Sequence, residues 1–373
     1  MHIGEPGPSV IADDPWRRDP SYEHDRPYVA LPAAPADAAC GTGRFPALDP
    51  TATYRWMALA RAVDERIWSL ARQGALPFAV SGRGQEAAQV GLAAALRPGA
   101  DYVYAYYRDT ALVLALGMSA RDILLGAFGR RDDPSSGGRQ MPGHFSCRRL
   151  RIVSASSPVG TQIPQAAGTA LACRALGERV AVVVTFGEGA ASQGDFHEGL
   201  NFAAVHRLPV VFVCENNGWA ISVPQRLQCV APIAARAAAY GIPGARVDGR
   251  DPRLCAQAAH EALARARAGG GPTLLEFTVD RLDPHTSSDD DRTYRPPEDL
   301  AAMRSADPLP SWRSHLIEVG DASASELADI DAWIAAEVEQ ASEEAEAAAP
   351  PEAATLSAHV TSQSPDGTPP CPR

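Results

Sequence analysis

Glu188 stands between two glycines in Gly187-Glu188-Gly189, and an adjacent pair of asparagines, Asn216-Asn217, follows after one further apolar run. A carboxylate and a side-chain amide oxygen are hard ligands suited to Mg²⁺, which takes roughly six oxygens and keeps some of them on phosphates. The flanking glycines carry no side chain that would hold a diphosphate away from the backbone. A lone Gly-x-Gly is a weak signal, because glycine serves any tight turn. The pairing with Asn-Asn is stronger, since both loops must then converge on one point.

The elements that would bring these residues together are legible around them. Residues 180–186 form an apolar, β-branched run that reads as a strand buried on both faces. A small-residue segment leads into a helix beginning near Gly194, with Phe196, Leu200 and Ala203 on one face. Pro209 closes the connection, and residues 210–214 read as a second short strand. This is a βαβ unit with a polar site at the carboxyl ends of both strands, where open parallel sheets place their ligands.

With 373 residues the chain can build one large α/β domain or two small ones. Its net charge of −11 argues against a nucleic-acid partner, which would require a clustered positive face. No apolar run approaches the ~20 residues that span a bilayer. The first residues lack a basic-then-apolar leader pattern. The expectation is a cytoplasmic protein with no membrane partner. Seven scattered cysteines with no Cys-x-x-Cys fit a reducing compartment and offer neither a zinc site nor a disulfide framework. Cys214, beside the site, reads as a buried thiol.

The chain contains no lysine, so all 34 basic residues are arginine. That excludes a Schiff-base lysine for pyridoxal phosphate, a Walker A lysine, and a lysine carrying lipoyl or biotin. A dinucleotide site would need a third glycine in register after Gly187 and Gly189, and Ser192 stands there instead.

Residues 1–45, rich in Pro, Ala and Asp, read as an extended or disordered arm, and residues 348–373 as a disordered tail. Between them the pattern predicts an α/β domain, a parallel β-sheet flanked by helices on both faces. Asp49-Pro50 is a helix start, and Met57, Ala60, Val63, Ile67 and Leu70 mark one face of a helix ending before Gly74. Further helices are expected at 85–96, 119–126, 165–176, 231–240 and 252–268, with a last one marked by Leu327, Ile330, Ile334 and Val338. Strands are expected at 101–106, 245–247 and 273–279, and a polar loop at 129–149.

Four further groups admit two readings each on their residues alone. Arg108, in Tyr107-Arg108-Asp109, suits a phosphate or an ion pair with Asp109. His144, in the loop string GGRQMPGHF, faces a substrate or is satisfied by backbone. The hydroxyls of SASSPVGTQIPQ line a ligand or cap the helix that follows. His285, in the polar loop 281–295, serves chemistry or lies in a solvated connection.

The Gly-Glu-Gly and double-Asn pairing resembles the thiamin-diphosphate binding motif. The longer string VAVVVTFGEGAASQGDFHEGLNFAAVHRLPVVFVCENNGWAIS resembles the branched-chain 2-oxoacid dehydrogenase α-subunit family, the decarboxylating component of a multienzyme complex. The likeness runs from about residue 50 to 340 through five motifs in order. It implies the thiamin-diphosphate-binding fold, with Mg²⁺ on Glu188, Asn217 and the main-chain carbonyl of Trp219. Implied cofactor contacts are Tyr107, Arg108, Ser157, Val159, Gly187, Glu188, Gly189, Ala190, Asn217, Trp219 and His285. Of these, Tyr107, Arg108 and His285 would meet the diphosphate, and Ser157 and Val159 the aminopyrimidine. Ser156, Pro158, Thr161 and Gln162 would line a K⁺ site.

The resemblance also implies that His285 is catalytic, helping acyl transfer. Implied partners are a β subunit, in an α₂β₂ heterotetramer that supplies the cofactor's activating Glu, and a lipoyl-bearing acyltransferase. Glu215 stands where some relatives place a phosphate-contacting Arg, Trp219 where relatives often have Tyr, and Thr286 where eukaryotic relatives are phosphorylated on Ser. Pyruvate and acetoin dehydrogenase α subunits share fold and cofactor; the GEG and RQMPGH strings favour branched substrates. A non-catalytic scaffold subunit would have lost ligands, and Glu188, Asn217 and His285 are all present.

Overall fold

A parallel strand sends alternate side chains to opposite faces, so a parallel sheet needs a helical layer on each side. The computed structural model, which describes residues 48–356, has that arrangement. In chain order it runs α1 (Pro50–Arg72), α2 (Glu86–Ala95), β1 (Tyr102–Tyr104), α3 (Thr110–Ala115), α4 (Ala120–Ala127), α5 (Gln162–Ala175) and β2 (Val182–Gly187). It continues with α6 (Gly194–Val205), β3 (Val210–Asn216), β4 (Trp219–Ala220), β5 (Val223–Pro224), β6 (Gly244–Asp248), α7 (Pro252–Arg267) and β7 (Thr273–Thr278). Three helices close the domain: α8 (Pro297–Ser305), α9 (Pro308–Val319) and α10 (Ala324–Ala347).

Five strands form the main sheet in the order β1-β2-β3-β7-β6, every pair parallel. Alternation splits the β-branched runs between two cores. Val183, Val211, Val213, Leu275 and Phe277 enter one core with α1, α2, α3, α4, α7 and α10. Val182, Val184, Phe186, Val210, Phe212 and Cys214 enter the other with α5 and α6. Register places Gly187 beside Glu215 and Asn216 beside Thr278, so the carboxyl ends of β2, β3 and β7 finish level.

α1 begins as its sequence dictates: Asp49 caps it by accepting from Ala52 N at 2.9 Å, with Pro50 in the first turn. The connection from α1 into α2, residues 73–85, turns at Gly82, where a Cβ would fall 2.4 Å from the carbonyl oxygen of Arg108. Only glycine permits that approach, and it locks the α1–α2 turn against the end of β1.

Several elements differ from expectation. α5 starts at Gln162 rather than 165, because Pro164 in a first turn lacks only an N–H that the helix does not use. Residues 233–240 form 3-10 turns instead of an α-helix. α3, α8 and α9, and the β4–β5 hairpin, were not expected. Residues 348–356, where the tail was expected to begin, carry a 3-10 turn at Ala353–Thr355, and Arg131 N donates to Ala349 O at 3.0 Å. The N-terminal arm to residue 47 and the tail from 357 lie outside the described residues. Among the described residues no helix is long and apolar enough to cross a membrane.

Candidate functional site

Because β1, β2, β3 and β7 are neighbours, the loops leaving their carboxyl ends adjoin. These are Tyr106-Tyr107-Arg108 after β1, the 3-10 turn Glu188–Ser192 after β2, Asn217-Gly218 after β3 and residues 279–295 after β7. A cleft at this edge is where an open parallel sheet binds its ligand.

Glu188 is 2% exposed. Its Oε2 accepts from Asn217 N at 3.3 Å, whereas Oε1 has no partner. Burial pushes its carboxyl above the ordinary range, and backbone N–H groups, Arg281 and Arg108 pull it partly back. A buried carboxylate oxygen without a donor is costly unless a cation meets it. Asn217 supplies a second oxygen, which also accepts from Trp219 N at 3.2 Å. Asn216 braces this loop: its amide donates to Glu276 Oε1 at 2.7 Å and Gln225 Oε1 at 3.0 Å, and its oxygen accepts from Gly218 N at 2.9 Å. Among the described residues no three His, Cys, Asp or Glu side chains cluster as metal ligands. One carboxylate and one amide oxygen, completed by main-chain and ligand oxygens, is the donor pattern of Mg²⁺ bound with a phosphate. The residues fit that group.

The two glycines around Glu188 differ in what they permit. A Cβ at Gly189 would lie 2.8 Å from that of Ala220, so this glycine lets the turn after β2 pack on β4. At Gly187 a Cβ would meet nothing nearer than the Tyr106 ring at 3.9 Å.

Arg108, 2% exposed, donates through Nη1 to Ser81 O at 2.7 Å and through Nη2 to His285 O at 2.9 Å. The same Nη2 lies 2.9 Å from His285 Nδ1. A guanidinium only donates, so Nδ1 accepts and the proton of the neutral ring sits on Nε2. Burial, then the charges of Arg108 and Arg281, pull His285 down to about 4, against the opposing pull of Asp289. His285 is therefore a neutral N–H donor at physiological pH. Tyr107 borders the same point, its ring 6.3 Å from the imidazole and 5.2 Å from the Arg108 guanidinium carbon.

Asp109 does not pair with Arg108. Its carboxylate accepts from Tyr106 N at 2.9 Å and from Thr185 Oγ1, tying β1 to β2. Glu215 turns away from the loop that follows it and accepts from Gln89 Nε2 at 2.9 Å and the Tyr106 hydroxyl at 3.2 Å. Burial raises both acids, Glu215 to about 7. Deeper still, Asp64 accepts from Gly82 N at 2.6 Å and Thr110 Oγ1 at 3.1 Å, and burial raises it to about 7.

Ser157 and Val159 are exposed at the rim. His144 is satisfied by backbone: Nδ1 donates to Met141 O at 3.0 Å, which leaves Nε2 to accept from Ser157 Oγ at 2.7 Å. Thr161 Oγ1 donates to Pro158 O at 3.1 Å, and Gln162, whose Nε2 donates to Thr185 O at 3.2 Å, has a buried Oε1 without a partner. Ser156 is half-buried in the same loop, and Ala190 is buried beneath the turn after β2.

Sequence reasoning missed Ser81, Asp64 and Arg281. Ser81 acts through its carbonyl, which any residue carries, and Asp64 looks like a polar position on a helix. Arg281 had one signal: it stands three residues past the last apolar strand, at the end where the other site residues lie.

The dehydrogenase E1 component family model matches residues 54–354. A Bacillus subtilis 2-oxoisovalerate dehydrogenase subunit alpha is 54% identical over 268 residues, 72% of this chain and 81% of that protein. A Mycobacterium tuberculosis 3-methyl-2-oxobutanoate dehydrogenase subunit alpha is 42% identical over 276 residues, 73% of this chain and 72% of that protein. The Homo sapiens mitochondrial 2-oxoisovalerate dehydrogenase subunit alpha is 38% identical over 269 residues, 72% of this chain and 60% of that protein.

Proposed function

The chain belongs to the dehydrogenase E1 component family, and from that membership we propose that it is the α subunit of a branched-chain 2-oxoacid dehydrogenase, working with thiamin diphosphate and Mg²⁺. The observation that carries this reading is the buried, half-unpaired carboxylate of Glu188 beside Asn217, in a chain whose relatives carry 2-oxoisovalerate dehydrogenase names.

When bound, thiamin diphosphate supplies the nucleophilic carbon and the electron sink for decarboxylation. The chain's own residues hold and orient it. Glu188 and Asn217, with the carbonyl of Trp219, hold Mg²⁺ against the diphosphate, and Gly187, Gly189 and Ala190 keep side chains out of the way. Arg108 and the Nε2–H of His285 donate to the phosphate oxygens while Tyr107 closes the side of the cleft. His285, neutral and a donor, is the catalytic candidate for acyl transfer, because its Nε2–H can donate a hydrogen bond without adding a positive charge to a site already crowded with arginines. K⁺ at Ser156, Pro158, Thr161 and Gln162 would engage the unpaired Gln162 Oε1 and steady the loop bearing Ser157 and Val159, which contact the aminopyrimidine.

The exposure of Ser157 and Val159 supports a site completed by a second chain. That chain is a β subunit in an α₂β₂ heterotetramer, and it brings the acid that activates the cofactor. The acyl acceptor is a lipoyl group on a separate acyltransferase, since this chain has no lysine to carry one. We place the assembly in the cytoplasm.

The test is oxidative decarboxylation by the chain co-purified with its β partner, using an artificial electron acceptor, with 3-methyl-2-oxobutanoate against pyruvate. Turnover that needs thiamin diphosphate and Mg²⁺ and favours the branched substrate is expected. A preference for pyruvate would move the substrate class, and absence of both turnover and cofactor binding would remove the enzymatic reading.

A further inference from the structure

Arg281 leaves the end of β7 and is 1% exposed. Its Nη2 donates to Ile221 O at 3.1 Å and the Tyr294 hydroxyl at 3.0 Å, which ties the loop after β4 to the loop that carries His285. Its Nε and Nη1 are buried and have no partner. A guanidinium keeps its proton, so these are two N–H groups of a permanent cation, shut away from water and left without an acceptor. Unpaired buried donors of a charged group are strongly unfavourable, and native structures seldom tolerate them except where a ligand answers them.

The surroundings specify the answering charge. Arg281 and Arg108 repel one another and together act on His285 and Glu188. Asp289, which also faces this cluster, spends its Oδ2 on His285 N and the Tyr294 hydroxyl. Two buried guanidinium groups and a neutral imidazole N–H therefore converge where one buried carboxylate awaits a cation. A polyanion bound with a divalent cation balances both.

We propose that Arg281 donates its free Nε and Nη1 groups to the cofactor's diphosphate, as an anchor additional to Arg108 and His285. The inference rests on the thiamin-diphosphate reading of the site and adds to it a residue that holds phosphate while its other amino group staples two site loops. In this chain Glu215 is buried against Gln89 and Tyr106, so it adds no phosphate donor from the end of β3.

The experiment uses the assembled complex with Mg²⁺ and compares wild type with Arg281→Met and Arg281→Lys. Affinities for thiamin diphosphate and for inorganic pyrophosphate are measured by calorimetry, and that for unphosphorylated thiamin by saturation-transfer NMR. Lost phosphate contact predicts about 100-fold weaker binding of thiamin diphosphate and pyrophosphate for Met, at roughly tenfold per charge-assisted hydrogen bond, and about tenfold for Lys. Thiamin binding should stay within about twofold. Equal weakening of thiamin and pyrophosphate would mean that Arg281 only orders the loops, and overturns the proposal; so does pyrophosphate binding within twofold of wild type. If the Met variant does not assemble, the Lys variant decides by the same criteria. A wild-type complex that binds no thiamin diphosphate would instead count against the proposed function.

Discussion

Arg108 and His285, 177 positions apart, meet twice through a single amino group: Nη2 lies 2.9 Å from the imidazole Nδ1 and 2.9 Å from the carbonyl oxygen of the same residue. The double contact fixes both the backbone position and the tautomer of the histidine.

His285 should therefore stay neutral, with its proton on Nε2, from neutral pH down to about 4. Its folded pKa lies below the ordinary 6.5, so the stability it contributes is present above pH 6.5 and lost as pH falls through 4. NMR of nitrogen-labelled histidine is expected to show no protonation of this ring at pH 5.5. Arg108→Met should move its titration upward, and an unmoved titration would leave burial and the charge of Arg281 as the causes.

Glu188→Gln separates function from stability. The buried carboxylate goes, and with it the proposed Mg²⁺ ligand, so activity should fall by more than about a hundredfold. The cofactor-free protein should be no less stable than wild type, and more stable by on the order of 1 kcal/mol, because an unpaired buried carboxylate oxygen has been removed. Denaturant melts without cofactor check this; marked destabilisation would mean that the carboxylate is structural.

Gly82→Ala tests whether the α1–α2 turn positions Arg108. The new Cβ would fall 2.4 Å from the Arg108 carbonyl, backbone that cannot swing aside as a side chain could. A destabilisation of about 1–3 kcal/mol is expected from such overpacking, together with at least a tenfold rise in the dissociation constant for thiamin diphosphate. Unchanged affinity would show that the turn and the site are independent.

Asp64 and Glu215, each raised to about 7 by burial, make the fold less stable in alkali. Both bind more protons folded than unfolded between about pH 4 and 7, so the stability they contribute is full at pH 4 and falls as pH rises to 7. His285 opposes this trend only below 6.5. Unfolding free energies of the cofactor-free chain from urea titrations at pH 5 and pH 7.5 should differ by on the order of several kcal/mol in the sense that acid stabilises, and Asp64→Asn should flatten the slope. A slope unaffected by that substitution would exonerate Asp64.

The parts of this molecule that were legible in its sequence are those written locally. Gly187-Glu188-Gly189 and Asn216-Asn217 each sit at the end of an apolar run, and one crossover forces them together. The Arg108–His285 contact joins distant loops, and no spacing rule announces it; the family resemblance implied only that both residues meet the diphosphate. Asp64, Asp109 and Glu215 were opaque because a buried acid looks like any polar residue until its partners are placed. α3 has six residues, too few for a period to register. α9 carried one start signal, Asp307-Pro308, which repeats the Asp49-Pro50 start, but only Pro308, Trp312 and Leu316 are buried along it, too sparse a stripe to announce a helix.

Among the described residues every buried cationic side chain, Arg61, Arg108, Arg281 and Arg295, is an arginine, in a chain with no lysine at all. A buried lysine can discharge in mild alkali and let go of what it holds, whereas arginine retains its proton at any pH a folded protein survives. Base therefore leaves the positive lining of this cleft intact.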